Sequence, residues 1–172
     1  MKKTGLYCGM LWILLGIAGC EKDDICPETT PTTPSVFIRF FDRLDPTRPN
    51  SEGTLKYYES ENEKTVTRSG SEIKLPLRLD RQQTVWVLEL TTLDNAGAEV
   101  VRRDTLSFKY ELETLYVSKA CGYKNIFTLV DNSTVEENPQ LNHNGVGNWI
   151  NRYQIMTTNI TTEADEHIKI YY

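Results

Sequence analysis

Residues 72–80 read EIKLPLRLD, and this stretch restricts the fold more than any other in the chain. Ile73, Leu75, Leu77 and Leu79 recur every second residue, with Lys74, Pro76, Arg78 and Asp80 between them. Successive side chains on a strand point to opposite faces, so this pattern gives one apolar and one polar face. A helix would scatter the same four aliphatic groups around its circumference. Pro76 has no amide proton for a ladder, which places the strand at a sheet edge or gives it a bulge.

The two-residue period returns along the chain. In SVFIRFF, Val36, Ile38 and Phe40 share one face and Phe37, Arg39 and Phe41 the other. TLKYYES and KTVTR are weaker strands on either side of a polar turn near Asn62. TVWVLELTT points Trp86, Leu88 and Leu90 inward, and Val85 and Val87 make its second face apolar too, which predicts a central strand. Asp94, Asn95 and Gly97 supply a hairpin turn. The return strand is expected from Val100 to about Leu112, with Leu106, Phe108 and Tyr110 facing in. Two more β-rich runs flank KACGYK, a long polar loop fills 131–147, and NWINRYQIMTT and HIKIYY resume strand character. About eight or nine strands without a helical period predict an all-β chain. The expected form is an antiparallel β-sandwich of immunoglobulin-like or Greek-key type, with a small β-barrel as the alternative.

The amino-terminal end carries an address. Lys2 and Lys3 precede an uncharged run from Thr4 to Gly19, too short for the roughly 18 residues of a membrane-spanning helix. Ile17, Ala18, Gly19 and Cys20 resemble a bacterial lipobox. The resemblance implies cleavage before Cys20 and covalent diacylglycerol and acyl lipid on that residue, the one prosthetic group expected. Glu21, Lys22, Asp23 and Asp24 resemble the export signal of Bacteroidota surface lipoproteins. That implies an outer-membrane, lipid-anchored protein facing the cell exterior, with the periplasmic face as the alternative. The expected organisation is a cleaved signal at 1–19, an acidic and Pro/Thr-rich tether at 20–34, and a single β-sandwich domain at 35–172.

Two of the 19 Lys and Arg residues leave with the signal, so 17 basic against 24 acidic groups gives a mature formal charge of −7. Nucleic acid requires a basic stripe and is excluded as a partner. Of the four cysteines, Cys8 leaves with the signal and Cys20 is consumed by lipid. Cys26 and Cys121 remain in an oxidising compartment, where an even pair predicts one disulfide; two buried thiols are the alternative. Such a bridge would leave the five residues 21–25 between lipid and crosslink, at most about 18 Å of extended chain.

Cys26, Thr32, Thr33 and Pro34, with the run Ala120, Cys121, Gly122 and Tyr123, resemble a group of uncharacterised Bacteroidota lipoproteins classed as a domain of unknown function. The resemblance implies a Cys26–Cys121 pair and a β-rich fold, and brings no activity with it.

Motifs for chemistry are sparse. The two histidines, His143 and His167, lack the spacing of a zinc helix, and neither CxxC nor GxSxG occurs. Glu163, Asp165, Glu166 and His167 cluster before the last strand, either as a hard-cation site or as a solvated turn. Trp86 and Trp149 suit either sugar stacking or the core, and the tyrosines at 57, 58, 171 and 172 are candidates for an exposed aromatic platform. Asp104-Thr105-Leu106 resembles a short bacterial O-glycosylation motif with Thr105 as acceptor. The sequence favours a non-catalytic binding or scaffolding domain with an envelope protein as partner. A glycan-binding accessory lipoprotein of a nutrient-uptake system and a hydrolase with a dispersed site are the rivals.

Overall fold

The computed structural model describes residues 25–130 and 149–172. The expected lipobox at 17–20, the export signal at 21–24, His143 and the polar run at 131–147 lie outside the described residues. Every regular element described is a strand: β1 (Val36–Phe41), β2 (Thr54–Glu59), β3 (Asn62–Arg68), β4 (Glu72–Leu75), β5 (Gln83–Leu93), β6 (Glu99–Ser118), β7 (Gly122–Leu129), β8 (Arg152–Ile155), β9 (Asn159–Ile160) and β10 (Ile168–Tyr171). They form a four-stranded sheet in the order β4-β1-β10-β8 and a six-stranded sheet in the order β3-β2-β5-β6-β7-β9. The protein is therefore an all-β sandwich and not a closed barrel. One pair departs from the antiparallel expectation: β1 and β10 run parallel, Ile38 opposite Ile168.

The core fills the space between the sheets, as the two-residue period dictates. Val36, Ile38 and Phe40 from β1, Ile73 and Leu75 from β4, and Ile168 and Ile170 from β10 face Leu88 and Leu90 from β5 and Leu106, Phe108 and Tyr110 from β6. β5 is central in its sheet, held by β2 on one side and β6 on the other. β4 is an edge strand that stops at Leu75, one residue before Pro76. The alternation of the sequence outlives the strand by one apolar residue. Leu77 stays buried, while Leu79 is 57% exposed, contrary to expectation. The chain that follows is fixed by a closed polar circuit: the Arg78 amide donates to Thr84 Oγ1 (2.9 Å), Thr84 and Tyr110 share a hydroxyl contact (2.8 Å), and Tyr110 donates back to the Arg78 carbonyl (2.8 Å). Burial raises the Tyr110 hydroxyl above its ordinary pKa, which keeps it a donor.

β6 is the longest element, 20 residues where a break near Leu112 was expected. At about 3.3 Å per residue it reaches about 60 Å. β5 pairs with it from Glu99 to Lys109, and β7 pairs with its opposite edge from Tyr110 to Ser118. The two partners grip successive halves. Tyr110, Phe127 and Leu129 are buried at the junction, but no residue from Glu111 to Ile126 is buried. The far half of β6 and most of β7 thus form a two-stranded ribbon that leaves the core.

Candidate functional site

The two ends of β6 define the chemistry the molecule can present. At its start, the β5–β6 turn is set by Asp94, whose Oδ1 accepts from the amides of Ala96 (2.8 Å) and Ala98 (2.9 Å), with Gly97 at φ 83°, a conformation that favours glycine. This turn, the β1–β2 connection and residues 149–151 surround an open cleft of about 730 Å³. Asp42, Asn50, Asn95, Arg102 and Asn151 give it a polar wall, with Trp149 and Tyr172 beside them. Asp42 organises the β1–β2 connection. It pairs with Arg48 and accepts from the amides of Leu44 (2.6 Å) and Asp45 (3.2 Å), and these contacts, Arg48 foremost, hold its carboxyl below the usual range. Asn50 donates to the Tyr172 carbonyl (3.2 Å), and the Tyr172 hydroxyl donates to the Glu52 carbonyl (3.0 Å). Burial, then the Glu52 charge, pushes the Tyr172 hydroxyl up to about 12.

One floor of this cleft is pinned by Asp104. The inward alternation Asp104, Leu106, Phe108, Tyr110 puts a carboxylate where an apolar group would stand, and it is 1% exposed. Its Oδ2 accepts from the amides of Trp149 and Ile150, both at 2.8 Å. The aspartate of the Asp104-Thr105-Leu106 triplet thus has a structural task, while Thr105 lies half-buried on the opposite face, across from Val87.

At the other end of β6, the ribbon turn carries the Cys26–Cys121 disulfide, with the two Cα atoms 4.9 Å apart. From there the Pro/Thr-rich segment returns to β1 beside the ribbon. Thr33 Oγ1 accepts from the Asn125 amide (2.9 Å), and Thr30 Oγ1 lies 3.5 Å from the Cys121 sulfur. A groove of about 520 Å³ lies between segment and ribbon, lined by Pro27, Glu28, Thr32, Val117, Tyr123 and Lys124. Tyr116 and Tyr123 face each other across the ribbon, exposed, with ring centroids 5.3 Å apart. Composition and motif spacing do not mark this pair. Its signal was their nearly symmetric placement about the KACG turn, readable once the hairpin register is known.

The other sequence candidates are dispersed. Trp149 is buried, its ring 5.9 Å from Phe40 and 5.0 Å from Tyr172, and its Nε1 donates to the Leu88 carbonyl (3.3 Å). Trp86 packs on Tyr57 and donates to the Pro76 carbonyl (3.2 Å). Tyr57 and Tyr171 are buried, Tyr58 and Tyr172 half-buried, and they do not share one platform. His167 is buried. The Phe37 amide donates to its Nδ1 (2.8 Å), so the ring proton sits on Nε2, and the His167 amide donates back to the Phe37 carbonyl (2.8 Å). Burial lowers its pKa against the opposing pull of the Thr162 backbone, Glu163 and Asp165. The carboxylates around it are engaged. Glu163 takes the Ser35 amide (2.6 Å) and Lys74 (2.8 Å), and Glu166 lies between Arg39 (3.2 Å) and Lys169 (3.3 Å). Burial pushes the Glu163 carboxyl up, but Lys74 and Ser35 together outweigh it and hold it low. Among the described residues, no three His, Cys, Asp or Glu side chains gather where they could hold a metal ion. Nor is any helix among them long and apolar enough to cross a membrane.

A family model matches residues 54–172, from the first residue of β2 onward; it describes a family of unknown function (DUF6452). No curated protein and no solved structure matches the chain.

Proposed function

We propose that this chain, which belongs to that family of unknown function, is a lipid-anchored display domain without catalytic activity. Residues 1–19 are removed, Cys20 carries the lipid, Glu21–Asp24 direct the protein to the outer face of the outer membrane, and the sandwich presents a binding cleft to its surroundings. The observation that carries this reading is the polarity of β6. Its far end is crosslinked through Cys121 to Cys26, six positions from the acylated residue, and its near end forms the cleft about 60 Å away. A tether so short holds one end at the membrane and turns the other outward.

The cleft suits a ligand recognised by hydrogen bonds. Asn50, Asn95, Asn151 and Arg102 offer amide and guanidinium groups, and the flank of Tyr172 offers apolar surface. A glycan or a polar loop of another envelope protein matches that lining. The test has two parts. A membrane-impermeant amine reagent applied to intact cells is expected to modify lysines of the sandwich, and the Cys20→Ala variant is expected to leave the membrane fraction. Modification that requires lysis would reassign the protein to the periplasmic face. A Cys20→Ala variant that stays membrane-bound after residues 1–19 have been removed would refute the anchor.

A further inference from the structure

We infer that the ribbon tip is itself a membrane-contact element: Tyr116 and Tyr123, with Ile25 beside the disulfide, seat in the headgroup layer of the bilayer that holds the lipid anchor. This rests on the acylation of Cys20. Three observations lead to it. Ile25 is 78% exposed, Tyr116 61% and Tyr123 70%; aliphatic groups such as Leu44, Leu93 and Val101 are exposed elsewhere, but among the described residues the two large exposed aromatic side chains both stand at the ribbon end, which takes no part in the core. Exposed Lys119 sits in the turn, and half-buried Lys124 follows Tyr123 on the other face of the ribbon, so the tip carries lysines as well as the two rings. Tyrosine and lysine together suit an interface that is apolar on one side and wet on the other, since the ring body is buried while hydroxyl and ammonium stay solvated. The third observation is length. The Cα atoms of Cys26 and Cys121 are 4.9 Å apart, and residues 21–25 span at most about 18 Å. The tip therefore cannot move far from the acyl chains, and contact costs little additional ordering.

The partner is the bilayer interface itself and not anionic lipid, because the net negative charge of the mature chain opposes adhesion by charge. Seating the ribbon also fixes the tilt of the sandwich. A flexibly tethered body would sample many orientations; one held by lipid and two rings keeps its cleft pointing away.

The experiment uses the full acylated chain, extracted from membranes and reconstituted in phosphatidylethanolamine vesicles with and without dibrominated phosphatidylcholine. Tyr123→Trp and Tyr116→Trp place a quenchable ring at the tip, and Asn95→Trp places one at the far turn; emission is read as the difference from the parent protein. All three positions are open, so each variant is expected to melt like the parent. The tip tryptophans are expected to shift to shorter wavelength and lose about half their emission to the brominated lipid, as for rings lying ~5–10 Å into the headgroup and acyl boundary. The Asn95→Trp signal is expected to stay unquenched. Tip tryptophans unquenched in a chain whose mass shows the lipid would overturn the inference and leave the anchor standing. A chain that lacks the lipid would remove both.

Discussion

Asp104 offers the sharpest test of how the cleft is held. It is a carboxylate at 1% exposure whose Oδ2 accepts two backbone amides at 2.8 Å, those of Trp149 and Ile150. Asp104→Ala removes both acceptor contacts and leaves two buried donors to find new ones. A hydrogen bond to a charged group contributes about 1.5–3 kcal/mol, and a buried donor left without a partner costs about 1–3 kcal/mol. The two amides share one oxygen and are not additive, so the expected loss is about 3–5 kcal/mol, a large fraction of the ~5–15 kcal/mol that stabilises a domain. Asp104→Asn keeps an acceptor oxygen and is expected to lose about half as much. Thr105→Val, on the opposite face, is expected to stay within about 1 kcal/mol. Urea denaturation followed by tryptophan emission reads all three, since Trp149 is adjacent. If Asp104→Ala cost less than ~1 kcal/mol, the carboxylate would not be what holds residues 149–150. If Thr105→Val lowered the mass of the native protein by that of a sugar, beyond the small change from the substitution itself, the triplet would be a modification site.

Further outcomes follow from the same geometry. Cys26→Ser and Cys121→Ser are each expected to lower the melting temperature by the same amount, because each removes one bridge; the 95-residue separation corresponds to at most about 4.7 kcal/mol of chain entropy. Unequal shifts in scanning calorimetry would show that the two sulfurs act independently. His167 is held neutral by burial, so its folded pKa lies below its unfolded value. Below about pH 6.5 the unfolded chain takes up a proton that the folded chain refuses, and stability falls with pH at up to ~1.4 kcal/mol per unit. His167→Asn, which keeps an acceptor near the Phe37 amide, is expected to flatten that slope between pH 6.5 and 5 in denaturation midpoints. Leu75→Ala is expected to cost about 2–5 kcal/mol and Leu79→Ala within about 0.5 kcal/mol, measured by the same unfolding assay.

The difference between those two leucines shows what the sequence could and could not disclose. Period two specified which face is apolar, and Leu75 and Leu79 are identical on that criterion. Where the strand ends depends on ladder pairing, and Pro76 ends it because no amide continues the ladder beyond Leu75. The inward residues of β1, β5 and the first half of β6 were legible for the same reason, each face being buried against the opposite sheet. β9 was not, since Asn159 and Ile160 are too few to show a period. The parallel β1–β10 pair was equally hidden, because side-chain alternation is blind to strand direction. The disulfide followed from counting the cysteines left after the expected signal and lipid site, on the expectation of an oxidising compartment, and its position at the tip of a projecting ribbon followed from register alone. His167 shows the reverse error: its type and acidic neighbours suggested chemistry, whereas the fold buries it as a backbone clamp between β1 and the segment leading into β10.

What is attached to residue 20 decides whether the protein is anchored as proposed. Intact-mass and peptide mass spectrometry of the protein extracted from its native membrane measures this directly. The expected result is an amino-terminal peptide that begins at Cys20 and carries diacylglycerol on the sulfur and an acyl group on the amine. A peptide still containing residues 1–19, or one beginning at an unmodified Cys20, would contradict it.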